Sequence, residues 1–427
     1  MRQMKDSGIE WIGEIPSAWQ LIRTKNCYFS HKNIVGESAD NYERLALTLG
    51  GVIKRPKDDA VGLQPEAFNG YQILYENDLV FKLIDLANVS TSRVGYSPYT
   101  GIVSPAYIIL TPRHKSESRF GEYFFLSMWQ REIFNHMGDD GVRSALNVSD
   151  LLNIPYLDMP IEEKRAIVRF LDRKCAEIDT VIADTQKTIE EYKALKQSII
   201  TEAVTKGIRG NRPMKDSGIE WIGEIPEEWE ISKFKHLGSC RNGLTYSPAD
   251  QCDEEGTLVL RSSNIQNGKL CLDDCVYVNR SIAPDLMVRP NDILICSRNG
   301  SAKLIGKNAI IPEGVTASFG AFMMIYRCKH PRYLQFILNS DVFSYYLGTF
   351  LTVSVNQLTG SNFENIQFPY TKDENEQNEI IDYLEGRCDN IDKLIGMKQE
   401  LIRELESYKK SLIYEYVTGK KEVPVCP

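Results

Sequence analysis

The chain contains one long run of residues twice. MKDSGIEWIGEIP stands at Met4–Pro16 and again at Met214–Pro226, and in both copies a tryptophan follows after a two-residue gap, at Trp19 and Trp229. An uninterrupted identical run of this length indicates a duplicated unit. A duplicated unit predicts a pseudo-twofold molecule that presents two equivalent surfaces.

A long helical pattern closes each copy. In the first copy, the residues at alternating steps of four and three are Leu171, Cys175, Ile178, Ile182, Thr185, Ile189, Tyr192, Lys196, Ile199 and Ala203. In the second copy they are Leu384, Cys388, Ile391, Ile395, Lys398, Ile402, Leu405, Lys409, Leu412 and Tyr416. This spacing, with Glu and Lys between, is typical of a coiled-coil seam. The seam covers roughly 40 residues, or about 60 Å, which is far longer than an ordinary helix.

The simplest partner for each long helix is the other one. The polar seam positions are equivalent in the two copies, Thr185 with Lys398 and Lys196 with Lys409. Polar groups at a seam can fix the register of the helices, although long lysine side chains can also extend to solvent. The alternative is that each helix is the core helix of its own domain.

Between the shared run and the helix, each copy carries a mixed segment with strand and turn signals. Strands are predicted at 71–82 and 102–111 in the first copy and at 292–296, 308–311 and 321–326 in the second. Elsewhere the two segments diverge, so the copies share their framing and differ in the segment between.

These signals divide the chain into six parts. The parts are a first domain at 1–158, a first long helix region at 159–206, a linker at 207–213, a second domain at 214–370, a second long helix region at 371–420 and a tail at 421–427.

The composition is that of an ordinary globular protein, with 42% hydrophobic and 25% charged residues. No apolar run is long enough to span a bilayer and no signal peptide is present, so we expect a cytoplasmic protein. Cys271 and Cys275, with Cys252 nearby, lack a histidine at ligand spacing, which favours reduced thiols over zinc. The net charge of −8 argues mildly against nucleic-acid binding, unless acidic residues lie on other faces.

The sequence contains no catalytic constellation. Its histidines have no recurring carboxylate or cysteine partner, and neither a phosphate-binding loop nor a dinucleotide-binding glycine motif is present. Asn153-Ile154-Pro155-Tyr156 is similar to the motif in which adenine methyltransferases hold a flipped base. However, its second residue is Ile, and the second copy reads Asn365-Ile366-Gln367-Phe368. We therefore favour a strand that leads into the helix.

Polar clusters in the variable segments are candidates for a DNA-binding groove. Arginine recognises guanine and Asn or Gln recognises adenine in the major groove, whereas Lys, Ser and Thr tend to hold phosphates. The alternative for each single residue is a solvated loop. The candidates are Lys54, Arg55, Lys57, Ser92, Arg93, Arg143, Ser144, Asn147, Arg261, Ser262, Asn264, Arg298, Asn299, Lys303, Ser354, Asn356 and Gln357.

The chain resembles the specificity subunits of type I restriction–modification systems over its whole length. The resemblance rests on K-x-S-G-x-x-W-x-G-x-I-P-x-x-W at Lys5–Trp19 and Lys215–Trp229. It also rests on I-x-x-x-L-D-x-K-x-x-x-I-D at Ile167–Asp179 and I-x-x-x-L-E-x-R-x-x-x-I-D at Ile380–Asp392. This chain departs from the family in one place. The family usually has a Glu-Gln pair before each helix, which the second copy keeps as Glu376-Gln377, whereas the first copy has Glu163-Lys164. We expect it to leave the fold intact and to change a local contact with a partner.

The resemblance implies an α+β fold with two mixed α/β target-recognition domains in a pseudo-twofold arrangement, separated by an antiparallel coiled coil of the two long helices. It also implies no enzymatic activity and no cofactor for this chain. The implied partners are double-stranded DNA, two adenine methyltransferase subunits that use S-adenosylmethionine, and restriction subunits that use ATP and magnesium.

Two unlike domains related by a pseudo-twofold axis predict an asymmetric, bipartite DNA target with a fixed unread gap. Two other classes of function stay open. A coiled-coil adaptor that binds only proteins would fit the acidic charge, although the divergence of the two domains argues against two identical partners. A standalone enzyme is disfavoured by the missing catalytic motifs.

Overall fold

In the computed structural model of the chain, the described residues are 2–59, 67–84, 92–137, 145–350 and 356–424. Packing divides the chain into two units. Unit 1 consists of Met1–Thr185 and Glu400–Pro427, and unit 2 consists of Gln186–Gln399. The boundary falls inside both long helices, so each unit contains one segment of each helix rather than the helices forming a separate part.

The described part of unit 1 is built from short strands and a few helices. Its strands are β1 (Met4–Asp6), β2 (Glu14–Pro16), β3 (Gln20–Arg23), β4 (Tyr28–Ser30), β5 (Arg44–Thr48), β6 (Gly51–Arg55), β7 (Gln72–Leu74), β8 (Leu79–Phe81), β9 (Val94–Tyr96), β10 (Gly101–Val103), β11 (Ile108–Pro112) and β12 (Pro155–Asp158). Its helices are α1 (Thr24–Cys27), α2 (Glu117–Gln130), α3 (Val148–Asn153) and α4 (Ile161–Lys206), the last of which continues into unit 2.

The described part of unit 2 is likewise built from short strands and a few helices. Its strands are β13 (Met214–Asp216), β14 (Glu224–Pro226), β15 (Glu230–Lys233), β16 (Gly238–Asn242), β17 (Gln251–Cys252), β18 (Thr257–Leu260), β19 (Ile265–Gln266), β20 (Lys269–Leu270), β21 (Tyr277–Val278), β22 (Ile293–Cys296), β23 (Asn308–Ile310), β24 (Ser318–Phe319), β25 (Met323–Cys328) and β26 (Gln367–Tyr370). Its helices are α5 (Phe234–Leu237), α6 (Pro331–Leu338), α7 (Asp341–Phe350), α8 (Gly360–Glu364) and α9 (Glu374–Val417), the last of which ends in unit 1.

Each unit contains an antiparallel four-stranded sheet and a second four-stranded sheet with one parallel pair. In unit 1 the strand orders are β4-β11-β8-β9, which is antiparallel, and β6-β5-β10-β7, in which β5 and β10 are parallel. In unit 2 the corresponding orders are β16-β25-β22-β23 and β17-β21-β18-β24, in which β18 and β24 are parallel. The prediction of an α+β protein with two mixed domains and two long helices is confirmed.

Most predicted strands are present. The run at 71–82 contains β7 and β8, and the run at 102–111 contains β10 and β11, which a turn divides. The runs at 292–296 and 308–311 contain β22 and β23. The strand predicted at 321–326 was placed too early, because Ala321 and Phe322 form a turn and β25 begins at Met323.

Equivalent asparagine–aspartate pairs shape one turn in both units. Asn77 and Asn291 have φ values of 75° and 69°, a left-handed conformation that asparagine tolerates better than most residues. The carboxylates of Asp78 and Asp292 accept the backbone N–H of the residue three positions earlier. The local sequence therefore leads the backbone into β8 of unit 1 and into β22 of unit 2 in the same way.

The two long helices run antiparallel. In unit 1, Lys409 Nζ lies 2.6 Å from Asp179 Oδ1, and in unit 2, Lys196 Nζ lies 2.7 Å from Asp392 Oδ2. As the residue number rises along α4, the number of its partner in α9 falls. The two ion pairs join equivalent residues of the two copies, so both favour the same helix register.

All the predicted seam positions face away from solvent. The buried positions are Leu171, Cys175, Ile178, Thr185, Ile189, Ile199, Ala203, Leu384, Cys388, Ile391, Leu412 and Tyr416. The half-buried positions are Ile182, Tyr192, Lys196, Ile395, Lys398, Ile402, Leu405 and Lys409. The helices contain 46 and 44 residues, or about 70 Å each at 1.5 Å per residue.

No helix in the described ranges is apolar enough over sufficient length to cross a membrane.

The identical runs adopt identical hairpins that are fastened to the long helices. Lys5 pairs with Ile15 in β1–β2, and Lys215 pairs with Ile225 in β13–β14. The tryptophan that follows each hairpin is fully buried. Trp19 Nε1 donates to Glu163 Oε2 at 3.0 Å near the start of α4, and Trp229 Nε1 donates to Glu376 Oε2 at 2.9 Å near the start of α9.

The replacement of glutamine by Lys164 acts inside unit 1. The Lys164 side chain is only 2% exposed, and its Nζ lies 2.7 Å from Oε1 of the buried Glu117 in α2. Tyr156 donates its hydroxyl to the other oxygen of Glu117, and Tyr28 donates to the Glu117 backbone carbonyl. In unit 2, Gln377 instead donates to the Thr371 carbonyl. The departure therefore changes a contact inside unit 1, and its effect on a contact with a partner stays a prediction.

Candidate nucleic-acid interface

Three predicted segments of unit 2 converge at one place. They follow β18, follow β22 and precede α8. Asn299 Nδ2 donates to Ser262 Oγ at 3.2 Å, and Asn356 Nδ2 donates to the Gly300 carbonyl at 3.2 Å. Arg298 and Gln357 form an isolated antiparallel β-bridge. The fold therefore brings together polar residues that are distant in sequence, as a binding surface requires.

The segment that follows β18 borders a groove with a cavity volume of about 590 Å³. Arg261 and Ser262 form part of its wall, together with the aromatic residues Tyr246 and Phe322. The Phe322 side chain is 57% exposed, and the Arg298 guanidinium carbon lies 5.3 Å from the centre of its ring. An exposed aromatic ring beside arginine and amide groups can contact base edges or stacked bases.

Some residues of this groove were not predicted. Phe322 was assigned to the interior of a strand, whereas it lies in the turn before β25. Lys307 donates to the Ser262 carbonyl at 3.2 Å, and Asp274 accepts from Arg261 at 2.9 Å. Gly320, two residues before Phe322, was the available signal for the turn. The roles of Lys307 and Asp274 depend on tertiary pairing, which carries no local signal.

Asn264 is corrected from a candidate DNA contact to a structural residue. Its side chain is fully buried. It accepts the Arg261 backbone N–H and donates to the backbone carbonyls of Cys271 and Asp274. A buried side chain with these bonds has no surface to offer a ligand. Lys303, by contrast, is exposed in a short helical turn after β22.

Two candidates in unit 1 are also corrected because they are buried. Ser92 donates to the Val94 carbonyl at 2.6 Å, and Arg93 has no exposed surface. Asn147 is exposed, and its side chain accepts the backbone N–H groups of Ser149 and Asp150 as the N-cap of α3. Arg143, Ser144 and Ser354 lie outside the described residues.

The basic cluster of unit 1 lies on and after β6, and its members are paired. Lys54 Nζ lies 2.6 Å from Glu43 Oε2, and this hydrogen bond raises the pKa of Lys54. Arg55 Nε lies 2.6 Å from Asp59 Oδ2. Lys57 donates to the Ala39 carbonyl at 2.7 Å. These pairs reduce the net positive charge of the cluster but leave Lys54 half exposed.

The same loop position carries different chemistry in the two units. The Leu146 N–H donates to the Leu83 carbonyl just after β8, and the Leu358 N–H donates to the Ser297 carbonyl just after β22. The next residue is the exposed Ile84 in unit 1 and the exposed Arg298 in unit 2. The shared framework therefore presents unlike side chains at equivalent places.

The segment similar to a methyltransferase motif is structural. Asn153 donates its side-chain N–H to the Ser149 carbonyl at 2.9 Å inside α3. Pro155–Asp158 forms β12, which pairs with β3.

Burial raises the pKa of the Cys27 and Cys240 thiols to about 12 each, so both are protonated at neutral pH. A protonated thiol is a poor nucleophile.

Comparison with known proteins finds similarity to one family of proteins. The sequence model of the family described as "Type I restriction modification DNA specificity domain" matches residues 226–407. The chain is 25% identical to the type I restriction enzyme MjaVIII specificity subunit of Methanocaldococcus jannaschii, over 96% of this chain and 94% of that protein. It is also 25% identical to the type I restriction enzyme EcoKI specificity subunit of Escherichia coli K12, over 46% of this chain and 44% of that protein.

A solved structure has the same fold. It is described as the structural basis of complex assembly and conformational transition of the type I R-M system, and it matches with a TM-score of 0.69 at 14% identity. The match covers 95% of this chain and 99% of that chain. The fold and the candidate interface define a duplicated α+β subunit with unlike surfaces on a common framework. Over nearly its whole length the chain is similar to a specificity subunit of a type I restriction enzyme, and its residues 226–407 match the model of the specificity-domain family.

Proposed function

We propose that the chain is the DNA-recognition subunit of a type I restriction–modification complex. Unit 1 and unit 2 each bind one half of a bipartite, asymmetric duplex target. The observation that carries this proposal is the groove of unit 2, where Arg261 and the exposed ring of Phe322 form part of the wall and Arg298 lies over that ring. Its donors suit base edges, which carry sequence information.

The chain also acts as the scaffold of the complex. The identical hairpins β1–β2 and β13–β14 offer two copies of one protein the same surface, which suits two methyltransferase subunits. Those subunits use S-adenosylmethionine and methylate adenine, and the restriction subunits that join them use ATP and magnesium. The chain itself binds no cofactor and catalyses no reaction. The complex works in the cytoplasm, where the host DNA lies.

The proposal is tested by sequencing modified adenines in cells that express the chain with its methyltransferase subunit. We expect one asymmetric motif made of two specified parts and an unspecified gap of fixed length. A continuous palindrome would contradict the proposal. Methylation with no sequence preference would instead favour an adaptor that binds only proteins.

Replacing Arg298 by alanine is expected to weaken duplex binding by the assembled complex about 5- to 150-fold, which corresponds to one arginine contact. The side chain is exposed above Phe322 and has no role in the core, so the fold should be retained. Fluorescence anisotropy over a range of salt concentrations measures the effect. The control is Arg332→Ala. Arg332 pairs with Glu385, does not line the groove and carries no proposed DNA contact. Equal effects of the two variants would remove Arg298 from the interface.

Removing one heptad from each long helix is expected to shorten the unread gap by about three base pairs, since seven residues span about 10 Å. The matched segments are 182–188 in α4 and 400–406 in α9, which face each other in the observed register. Methylation sequencing should show the same half-sites with a new gap. Altered half-sites with an unchanged gap would show that the helices do not set the spacing.

A further inference from the structure

Arg261 occupies a position that a small network of backbone contacts fixes. It follows β18 directly, and its own backbone N–H is bound by the buried side chain of Asn264 at 2.8 Å. The same asparagine amide donates to the carbonyls of Cys271 and Asp274 at 3.0 and 2.9 Å. One buried residue thus ties together the two chain segments that carry Arg261 and Asp274.

The Asp274 carboxylate then orients the guanidinium group. Arg261 Nη2 donates to Asp274 Oδ2 at 2.9 Å, while 37% of the arginine side chain stays exposed in the groove. Arg261 Nε and Ser263 Oγ are buried atoms without a hydrogen-bond partner among the described residues, and both residues line the groove. Buried donors without partners in a groove indicate a place where a ligand can complete the hydrogen bonding.

The pairing with Asp274 favours a base over a phosphate as the ligand of Arg261. The neighbouring carboxylate offsets the positive charge, which lowers the attraction for the DNA backbone. The directional N–H donors remain, and two of them match the O6 and N7 acceptors of guanine in the major groove. Tyr246 and Phe322 also line the groove. A base that covers these rings shields its hydrogen bonds to Arg261 from water, which strengthens the distinction between a made and an unmade hydrogen bond.

We propose that Arg261 recognises one guanine in the half-site bound by unit 2 and that Asp274 is the residue that positions it. This inference rests on the proposed DNA-binding function and adds to it the base recognised and the pair of residues responsible. Arg261 contacts the base, whereas Asp274 acts through Arg261.

The test measures binding of the full chain, assembled with its methyltransferase subunits, to duplexes in which each target position is replaced in turn. Arg261→Ala is expected to reduce discrimination at one guanine on the order of 10- to 100-fold and to leave the other positions unchanged. Asp274→Asn is expected to relax the same position. Because it removes a negative charge, it should leave overall affinity equal or higher and make the salt dependence steeper.

The outcomes separate the inference from the proposed function. A uniform loss across all positions in Arg261→Ala would assign Arg261 to a phosphate and overturn the inference, and so would an unchanged guanine preference. An Asp274→Asn variant that loses affinity at every position together with thermal stability would show a purely structural role. Wild-type complex that binds every duplex equally would instead overturn the proposed function. Arg332→Ala serves as the control for loss of an ion-paired arginine elsewhere in unit 2.

Discussion

Replacing Lys164 by glutamine is expected to destabilise unit 1 by about 3–5 kcal/mol. Glutamine is the residue at the equivalent position of unit 2, so the change is accepted by the shared framework. In unit 1, however, it leaves the buried Glu117 carboxylate without its cation, and among the described residues the hydroxyl of Tyr156 is its one further side-chain donor. Removing one partner of a buried ion pair destabilises far more than the pair itself stabilises.

The matched control is the double variant Lys164→Gln with Glu117→Gln, which removes both charges. We expect it to recover most of the lost stability, because no uncompensated charge remains in the core. Urea denaturation gives the free energy of unfolding, and hydrogen exchange measured by mass spectrometry assigns the loss to unit 1. A single variant as stable as the wild type would mean that water reaches Glu117.

The second large effect concerns the contacts of the two buried tryptophans. Replacing Glu376 by alanine is expected to destabilise unit 2 by about 3–5 kcal/mol. The Glu376 side chain is 3% exposed, and it accepts from Trp229 and Thr371 while it pairs with Arg212. Its loss leaves the half-buried Arg212 without its carboxylate partner and the buried donors of Trp229 and Thr371 without this acceptor.

The repeat supplies the control for this prediction. Glu163 makes the equivalent contacts with Trp19 and Arg2, but 29% of its side chain is exposed. Water can replace the carboxylate there, so we expect Glu163→Ala to lower the free energy of unfolding by only about 1–2 kcal/mol. Thermal unfolding with local hydrogen exchange measures both. Equal losses would show that exposure does not govern the strength of this contact.

The framework of this protein could be predicted from sequence because its signals are local and repeated. The identical runs indicate the duplication, and the four-and-three spacing at Leu171–Ala203 and Leu384–Tyr416 places every seam residue at a buried or half-buried position. The seam depends only on the periodicity of a helix and the duplication only on repeated residues, and the order of residues determines both directly.

The candidate interface was harder to predict because it depends on tertiary pairing. Ser92, Arg93 and Asn264 are polar, and sequence alone does not distinguish a polar residue in a loop from one that satisfies buried backbone groups. Asp274 had no local signal, because it gains its role from Arg261 in another segment. The buried Lys164 is similar, since its partner Glu117 lies in a distant helix.

The division of both long helices between the units constrains how such a gene can evolve. The two identical runs are natural sites for recombination, and an exchange between them would replace everything from β3 to the end of α4. The incoming helix would then have to pair with a resident α9. The equivalent ion pairs Lys196–Asp392 and Lys409–Asp179 give every exchanged segment the same register to meet. We therefore expect new DNA specificities to arise by exchange of whole cassettes whose recognition loops vary freely while their helix seams stay compatible. Related isolates that differ only by scattered point changes would contradict this expectation.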